Sequence, residues 1–460
     1  MSERVDVVVI GMGVGGGGVA EDLAEAGLDV VGIDRGLVGG ECPYWGCVPT
    51  KMMIRAANVL AEARRVGELA GSATVEPDWA PVAARIRDDA TDDWDDTVAV
   101  ERFEGKGGRF VRGAARLDGP GRVAVDGEVF EAGRGIVVAT GTKAAAPPIT
   151  GLDGVDYWTN REAVEAKELP ESLLVLGGGA IGLELSQVFA RFGVRVTIVE
   201  AAPRLLESEE PESSALIADV LRGEEIEVRV DAEVESARAE DGHTVLVLAG
   251  DDGATEELVA ERLLVATGRR ADLAAVGAAS VGIDEDARGI PVDDHLRVLG
   301  AERLWAVGDV TGVGAFTHMA VYQGRIAAAD ILGQKPTPAD YRALPRVTFT
   351  DPEIGSVGSN EAKAREEGIS VRVGSAPVSA SARGWIHKVG NEGFIKLVED
   401  ADRGVLVGAT SVGPVGGEVL GMLALAVHEQ VPTGHLREMI YAYPTFHRGI
   451  EDALRELAAP

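Results

Sequence analysis

The chain has 460 residues, of which 46% are hydrophobic and two are cysteine, and it carries a formal net charge of -31 at pH 7. That length exceeds what one hydrophobic core can serve and predicts about two to four domains, while the apolar share excludes wholesale disorder. The acidic balance excludes a nucleic-acid backbone as partner and describes a well-solvated surface; no run of ~18 apolar residues occurs, so no membrane span is expected and a cytoplasmic protein is.

The first segment, RVDVVVIGMGVGGGGVAEDLAEAGLDVVGIDRG, reads as strand, Gly-rich turn, helix, strand. Its apolar run VDVVVI suits a parallel strand buried on both faces. Gly11, Gly13 and Gly16 form a G-x-G-x-x-G turn, and Asp34 closes the second strand. Such glycines let the backbone approach a pyrophosphate at a helix N-terminus, and the acid can bind a ribose hydroxyl. Alone the glycine pattern is weak evidence; in this order of elements it predicts a dinucleotide site.

Next comes GGECPYWGCVPTKMMIRAANVLAEARR, which holds both cysteines, Cys42 and Cys47. It runs from a turn into a long helix, with Cys47 just before the helix and Pro49 suited to its first turn. A helix N-terminus favours negative charge, so Cys47 should hold a thiolate more readily than a free thiol of pKa ~8.5. Lys51 follows four residues later and, in a helical turn, points from the same face. Two cysteines build no disulfide framework, and no histidine precedes His243, so a zinc site is not expected. A redox pair or two incidental thiols remain. The charged stretch 52–105 reads as solvated helices.

The strand–turn–helix–strand unit recurs in SLLVLGGGAIGLELSQVFARFGVRVTIVEAA, with Gly177, Gly179 and Gly182 in the turn and Glu200 at the close. Each unit is followed by an apolar strand ending in ATG, GIVVATGTK with Gly141 and RLLVATGRR with Gly268. Two such units imply two nucleotide cofactors, and electron transfer between a flavin and a nicotinamide is the usual reason to join them. Then ERLWAVGDVTGVGAFTHMAVYQGRIAAADIL predicts a short strand, a turn holding Asp309, and a helix from about 317. GQKPTPADYRALPRV reads as a linker. Beyond it, GFIKLVED and GVLVGATSVG read as antiparallel strands and EVLGMLALAVHEQ as a helix.

With these residues in view, the chain resembles the class I pyridine nucleotide-disulfide oxidoreductases, the family of dihydrolipoyl dehydrogenase, glutathione reductase and mercuric reductase. The resemblance covers nearly the whole chain and rests on GGECPYWGCVPTK, both Gly-rich turns, both ATG strands, AVGDV, RVTFTDPEIGSVG and YPTFHRGIEDAL. It implies an α/β fold with two Rossmann-like dinucleotide-binding domains and a C-terminal α+β dimerisation domain. The expected division is 1–148 and 271–337 for FAD, 149–270 for NAD(P), and 338–460 for the dimer interface. The first turn, Asp34 and Gly141 would hold FAD, with Asp309 on its flavin side. The second turn, Glu200 and Gly268 would hold the nicotinamide dinucleotide. Electrons would pass from NAD(P)H through flavin into a Cys42–Cys47 disulfide, Cys47 against the ring and Cys42 as the outer, interchange thiol. Glu184 would pair with Lys51. Glu200 would repel a 2′-phosphate and favour NADH, although Arg204 nearby leaves NADPH open. A homodimer with shared active sites and a small-molecule electron acceptor are implied.

The C-terminal motif departs from the family's H-x-H-P-T-x-x-E. Here Tyr443 stands at the histidine base, Tyr441 at the earlier histidine and Arg448 at the glutamate. A phenol of pKa ~10 is a poor base near neutral pH but can donate a proton. Tyr443 is therefore a candidate proton donor or substrate contact, and His447 a candidate substitute base. Tyr44 and Trp45 between the cysteines either wall the acceptor pocket or pack beneath the domain. The chain lacks the C-terminal cysteine pair of mercuric reductases. Three readings stay open: a dihydrolipoyl dehydrogenase-like thiol/disulfide enzyme, a reductase of quinones, metals or other electrophiles through the same relay, and a flavin-bearing redox sensor without turnover.

Overall fold

The computed structural model describes residues 2–250 and 254–457, in two compact units. The first comprises the chain up to Thr50, Ala83–Ala145 and Gly268–Asp340; the second comprises Lys51–Val82, Ala146–Thr267 and the chain from Tyr341.

The first unit is built on a seven-stranded sheet. Ser2–Ile10 runs parallel to Val30–Asp34 on one side and to Glu128–Val138 on the other, and Arg109–Arg112 extends the sheet beyond Val30–Asp34. Glu128–Val138 changes partner along its length. Its first half takes Arg122–Val125 antiparallel, and its end takes Leu304–Ala306 parallel. The first strand is apolar without alternation because both faces are covered. Val7 and Val9 pack with Leu23 of helix Val14–Glu25 and Ile326 of helix Thr317–Ile331, while Val8 and Ile10 pack on the other face with Phe130 and Ile136. The carboxyl ends of these parallel strands carry the Gly-rich turn and Asp34.

The second unit contains a four-stranded parallel sheet in the order Glu227–Arg229, Arg195–Val199, Ser172–Leu176, Arg262–Val265. A three-stranded antiparallel sheet, Val234–Glu240, His243–Ala249 and Thr255–Ala260, adjoins it in sequence. The C-terminal part is a five-stranded antiparallel sheet covered by helices Gly416–His428 and Gly449–Leu457, whose Leu420, Leu423, Ile450 and Leu454 bury against Ile395, Leu397 and Leu406. The expected antiparallel pair is present as Phe394–Asp400 and Val405–Gly413. The expected linker ends sooner than its prolines suggested: Pro345–Thr348 is an edge strand, with proline at its first residue where no ladder donor is required.

The long helix predicted after the cysteines runs Cys47–Arg65 and includes Cys47 as its first residue. Within the second unit, this helix is pinned to helix Ala180–Arg191. The buried Arg191 guanidinium donates to both oxygens of Glu224 at 2.6 and 2.9 Å, to Asp351 at 2.8 Å and to Asn58 Oδ1 at 2.6 Å. Arg64 donates to the Arg191 carbonyl at 2.8 Å and Arg65 to Asp351 at 2.9 Å. About two helical turns back along each helix, Lys51 meets Glu184 at 2.8 Å. The two contacts share one register, so the buried arginine sets the height at which lysine and glutamate face each other.

Removing one member of a buried ion cluster strands the others. Arg191→Met is expected to cost about 3 kcal/mol, read as a lowered urea midpoint. A loss below about 1 kcal/mol would mean the cluster is solvated and does not set the register.

Candidate active site

In the first unit, the Gly-rich turn is shaped for close approach. Gly11 has φ +96°, and a Cβ there would lie 2.4 Å from the Ala139 carbonyl oxygen. At Gly16 a Cβ would lie 2.0 Å from the Gly11 oxygen, so helix and strand meet through bare backbone. Gly13 is the N-cap of Val14–Glu25; no side chain caps the helix and no acid occupies its first turn. The free N–H groups and the positive end of the helix dipole therefore suit a phosphate. Asp34 braces the turn, accepting from Met12 N at 2.6 Å and Gly36 N at 2.8 Å. Asp309 sits in the short 3-10 turn Gly308–Thr311, well before helix Thr317–Ile331, so it is a turn residue rather than that helix's cap. It accepts from Thr142 Oγ1 at 2.9 Å, and Arg269 donates to the same hydroxyl at 3.0 Å and to the Thr142 carbonyl at 2.8 Å. Gly141 and Gly268 end their ATG segments with φ +62° and +131°, and the Gly268 carbonyl accepts from Ala145 N.

The two cysteines occupy consecutive helices, Glu41–Tyr44 and Cys47–Arg65. Cys42 is half-buried and Cys47 exposed. The Cys42 thiol is pushed well above the ordinary thiol range, first by its hydrogen bond with Cys47 and next by burial, with Thr317 pulling the other way. The Cys42 thiol thus holds its proton tightly, with Cys47 as its hydrogen-bond partner. Cys47 Sγ lies 3.4 Å from Thr317 Oγ1, the first residue of helix Thr317–Ile331. Tyr44 is buried, with its ring 5.8 Å from that of Trp45, so at least Tyr44 packs beneath the domain.

In the second unit, the turn at Gly177, Gly179 and Gly182 repeats the first. A Cβ at Gly182 would lie 2.2 Å from the Gly177 oxygen, and helix Ala180–Arg191 begins at Gly179 with no side-chain cap and no acid in its first turn. Glu200 accepts from Gly178 N at 2.5 Å and Ala202 N at 2.8 Å, as Asp34 does in the first turn. Arg204 is spent on the chain itself, donating to the carbonyls of Leu206 and Glu209 at 3.3 and 3.0 Å and to Ser214 Oγ at 2.7 Å. Glu184 is buried; its second oxygen accepts from Phe349 N at 2.8 Å, and Lys51 Nζ stands 4.7 Å from the Phe349 ring centroid.

The C-terminal candidates separate. Tyr443 is exposed, with the Arg448 guanidinium 5.0 Å from its ring centroid, and both line one pocket. His447 is exposed in the turn Phe446–Arg448 and does not line that pocket. Tyr441 is structural: it donates to the Leu436 carbonyl at 2.9 Å, and burial, with Glu451 nearby, pushes its phenol up to about 12. Thr317, Arg269 and Phe349 were not anticipated; their links to Cys47, Thr142 and Glu184 join segments far apart in sequence.

Two phosphate-ready turns and a sulfur pair define a dinucleotide-dependent redox protein. Residues 5–324 match the family described as pyridine nucleotide-disulphide oxidoreductase, and residues 344–454 match its dimerisation domain. The chain belongs to this family: it is an FAD-dependent NAD(P)H disulfide oxidoreductase, and the dimerisation domain points to a homodimer. It is 34% identical to dihydrolipoyl dehydrogenase of Thermus scotoductus, covering 98% of this chain and 97% of that one. It is also 34% identical to mercuric reductase of Streptomyces lividans, over 97% and 94%. Among solved structures, the Cu(II) complex of the HOCl-induced flavoprotein disulfide reductase RclA from Escherichia coli superposes with a TM-score of 0.86 at 26% identity, over 98% of this chain and 99% of that one. LpdA from Mycobacterium tuberculosis gives 0.85 at 26% identity, over 99% and 100%. Among the described residues no helix is long and apolar enough to cross a membrane.

A hydroxyl donating to a thiolate is worth about 1 kcal/mol. Thr317→Val is expected to raise by about 0.5–1 pH unit the midpoint at which the long-wavelength thiolate–flavin absorbance of the two-electron-reduced protein appears. An unmoved midpoint in a folded, flavin-loaded variant would remove Thr317 from the sulfur site.

Proposed function

We propose that the protein reduces a disulfide at the expense of NADH, with Cys42 as the thiol that opens the acceptor and Cys47 as the thiol beside the flavin. The observation that carries this is the placing of the two cysteines on consecutive helices, Cys42 half-buried and Cys47 exposed at the start of the long helix with its sulfur 3.4 Å from Thr317 Oγ1. The overall balance is NADH, one proton and a disulfide giving NAD+ and two thiols. Bound FAD supplies the two-electron relay between nicotinamide and sulfur.

The chain's own residues account for the remaining steps. An attacking sulfur must be a thiolate, and Cys42 holds its proton tightly; the hydrogen bond to Cys47 gives that proton a place to go without a histidine base. The Cys42 thiolate then attacks one acceptor sulfur, the acceptor S–S bond breaks, and the leaving thiolate takes a proton. Tyr443 of the partner subunit supplies that proton, across the homodimer interface. Cys47 next passes the proton it received to the second acceptor sulfur, attacks the Cys42 sulfur as a thiolate, closes the Cys42–Cys47 disulfide and releases the second thiol. Lys51, one turn after Cys47 along its helix, brings a cation held in place by Glu184. Gly11, Gly13, Gly16, Asp34, Gly141 and Asp309 bind FAD; Gly177, Gly179, Gly182, Glu200 and Gly268 serve the nicotinamide dinucleotide. The Arg204 N–H groups are taken up by carbonyls and the Ser214 hydroxyl rather than turned to a 2′-phosphate, which supports NADH over NADPH.

A second reading follows from one departure. Tyrosine and arginine stand where the family's histidine–glutamate pair would be, so an acceptor that needs no general base, such as a quinone or an oxidised metal ion, fits the same relay. The Cu(II) complex of RclA belongs to this comparison.

A panel of disulfides, quinones, Hg(II) and Cu(II), each run with NADH and NADPH, separates these readings. The first predicts turnover of disulfides, lost in Cys42→Ser, with NADH preferred at least about tenfold in kcat/KM. Quinone or metal turnover, with no disulfide reduced by the wild type, would establish the second. No turnover with any acceptor would leave a redox sensor.

A further inference from the structure

In the second unit, a pocket of about 220 Å³ lies between helix Ala382–His387 and the segment Tyr443–Arg455. Three arginines line it, Arg383, Arg448 and Arg455, against one acid, Asp452. In a chain with a net charge of -31, that local excess of cations runs against the surrounding surface.

The three guanidinium groups are not equivalent. Arg455 is paired with Asp452 and, at 3.9 Å, with Glu451. Arg448 donates to Glu451 at 3.0 Å while its flat face rests over the Tyr443 ring. Arg383 packs 5.4 Å from the Phe446 ring centroid and has no carboxylate partner among the described residues. The pocket's other hydroxyls are occupied: Ser381 donates to the Val378 carbonyl and Thr445 to the Ala442 carbonyl. What remains to meet a ligand is the Arg383 fork and the Tyr443 hydroxyl. A planar guanidinium presenting parallel N–H donors, held by an aromatic ring, matches a carboxylate or phosphate, and a phenol O–H adds a donor to the same oxygens.

We propose that this pocket binds an oxyanion, carboxylate or phosphate, carried by the electron acceptor; the link to the acceptor rests on Tyr443 working at the active site as proposed above. The enzyme then selects acidic acceptors despite its own negative charge, because the selection is made by one unpaired arginine rather than by the overall field.

The pocket is tested by calorimetric titration of the FAD-loaded enzyme with benzoate and, separately, with inorganic phosphate. One or both should bind once per subunit, about tenfold more weakly in Arg383→Gln, with part of the affinity regained in Arg383→Lys. Binding of benzoate alone marks a carboxylate site, and of phosphate alone a phosphate site. No binding of either, or equal binding by Arg383→Gln, overturns the proposal. The link to the acceptor is read from kcat/KM for the anionic disulfide 5,5′-dithiobis(2-nitrobenzoate) relative to the uncharged 4,4′-dithiodipyridine. That ratio should fall about tenfold in Arg383→Gln and recover in Arg383→Lys; an unchanged ratio overturns the link. Wild-type enzyme that binds an oxyanion yet reduces neither disulfide refutes the disulfide-reductase reading and leaves the pocket standing.

Discussion

One contact organises the sulfur pair of this protein, the hydrogen bond between Cys42 and Cys47. Cys42 keeps the proton because Cys47 accepts from it and because Cys42 is half-buried. In the proposed mechanism the same contact gives the Cys42 proton a route to Cys47. Thr317 adds a hydroxyl to the site from the start of another helix. With Tyr443 standing in place of a histidine base, the proposed mechanism relies on such an internal route, since a phenol donates a proton more readily than it removes one.

The second unit solves a different problem, that of holding a lysine at a set height. Lys51 has many rotamers, and a lone ion pair at its exposure would contribute little order. The buried Glu184 is fixed from its other side by Phe349 N, and the two helices are locked at one register by Arg191 and Asn58. The cation is thereby placed by packing and a buried network rather than by the ion pair alone. The two Gly-rich turns follow one design, a backbone shape that side chains would obstruct, with an acid pulled onto the turn's own N–H groups by Asp34 in one and Glu200 in the other.

These local features were legible from residue order because each is completed within a few dozen residues. Glycine spacing, a closing acid, and a cysteine before V-P-T-K each describe one turn and its helix. The supporting contacts were not legible, because they depend on tertiary packing. Thr317 reaches Cys47 across 270 positions and Phe349 reaches Glu184 across 165. The linker before the C-terminal sheet looked longer than it is because proline is tolerated at the first residue of an edge strand, as at Pro345. His447 was a reasonable candidate by spacing, but the turn Phe446–Arg448 leaves its side chain in solvent while Tyr443 lines the pocket. The exchange of histidine and glutamate for Tyr443 and Arg448 was visible in the sequence; only the structure put Arg383, with no carboxylate partner among the described residues, in the same pocket.

If a pair of electrons entering from a nicotinamide comes to rest on Cys42 and Cys47, reduction leaves two free thiols. Anaerobic addition of one equivalent of NADH to the oxidised, FAD-loaded enzyme, followed by acid quench and thiol counting in denaturant, measures this directly. Two new thiols per subunit are expected, absent from Cys47→Ser. Complete bleaching of the flavin with no thiol gained would contradict it.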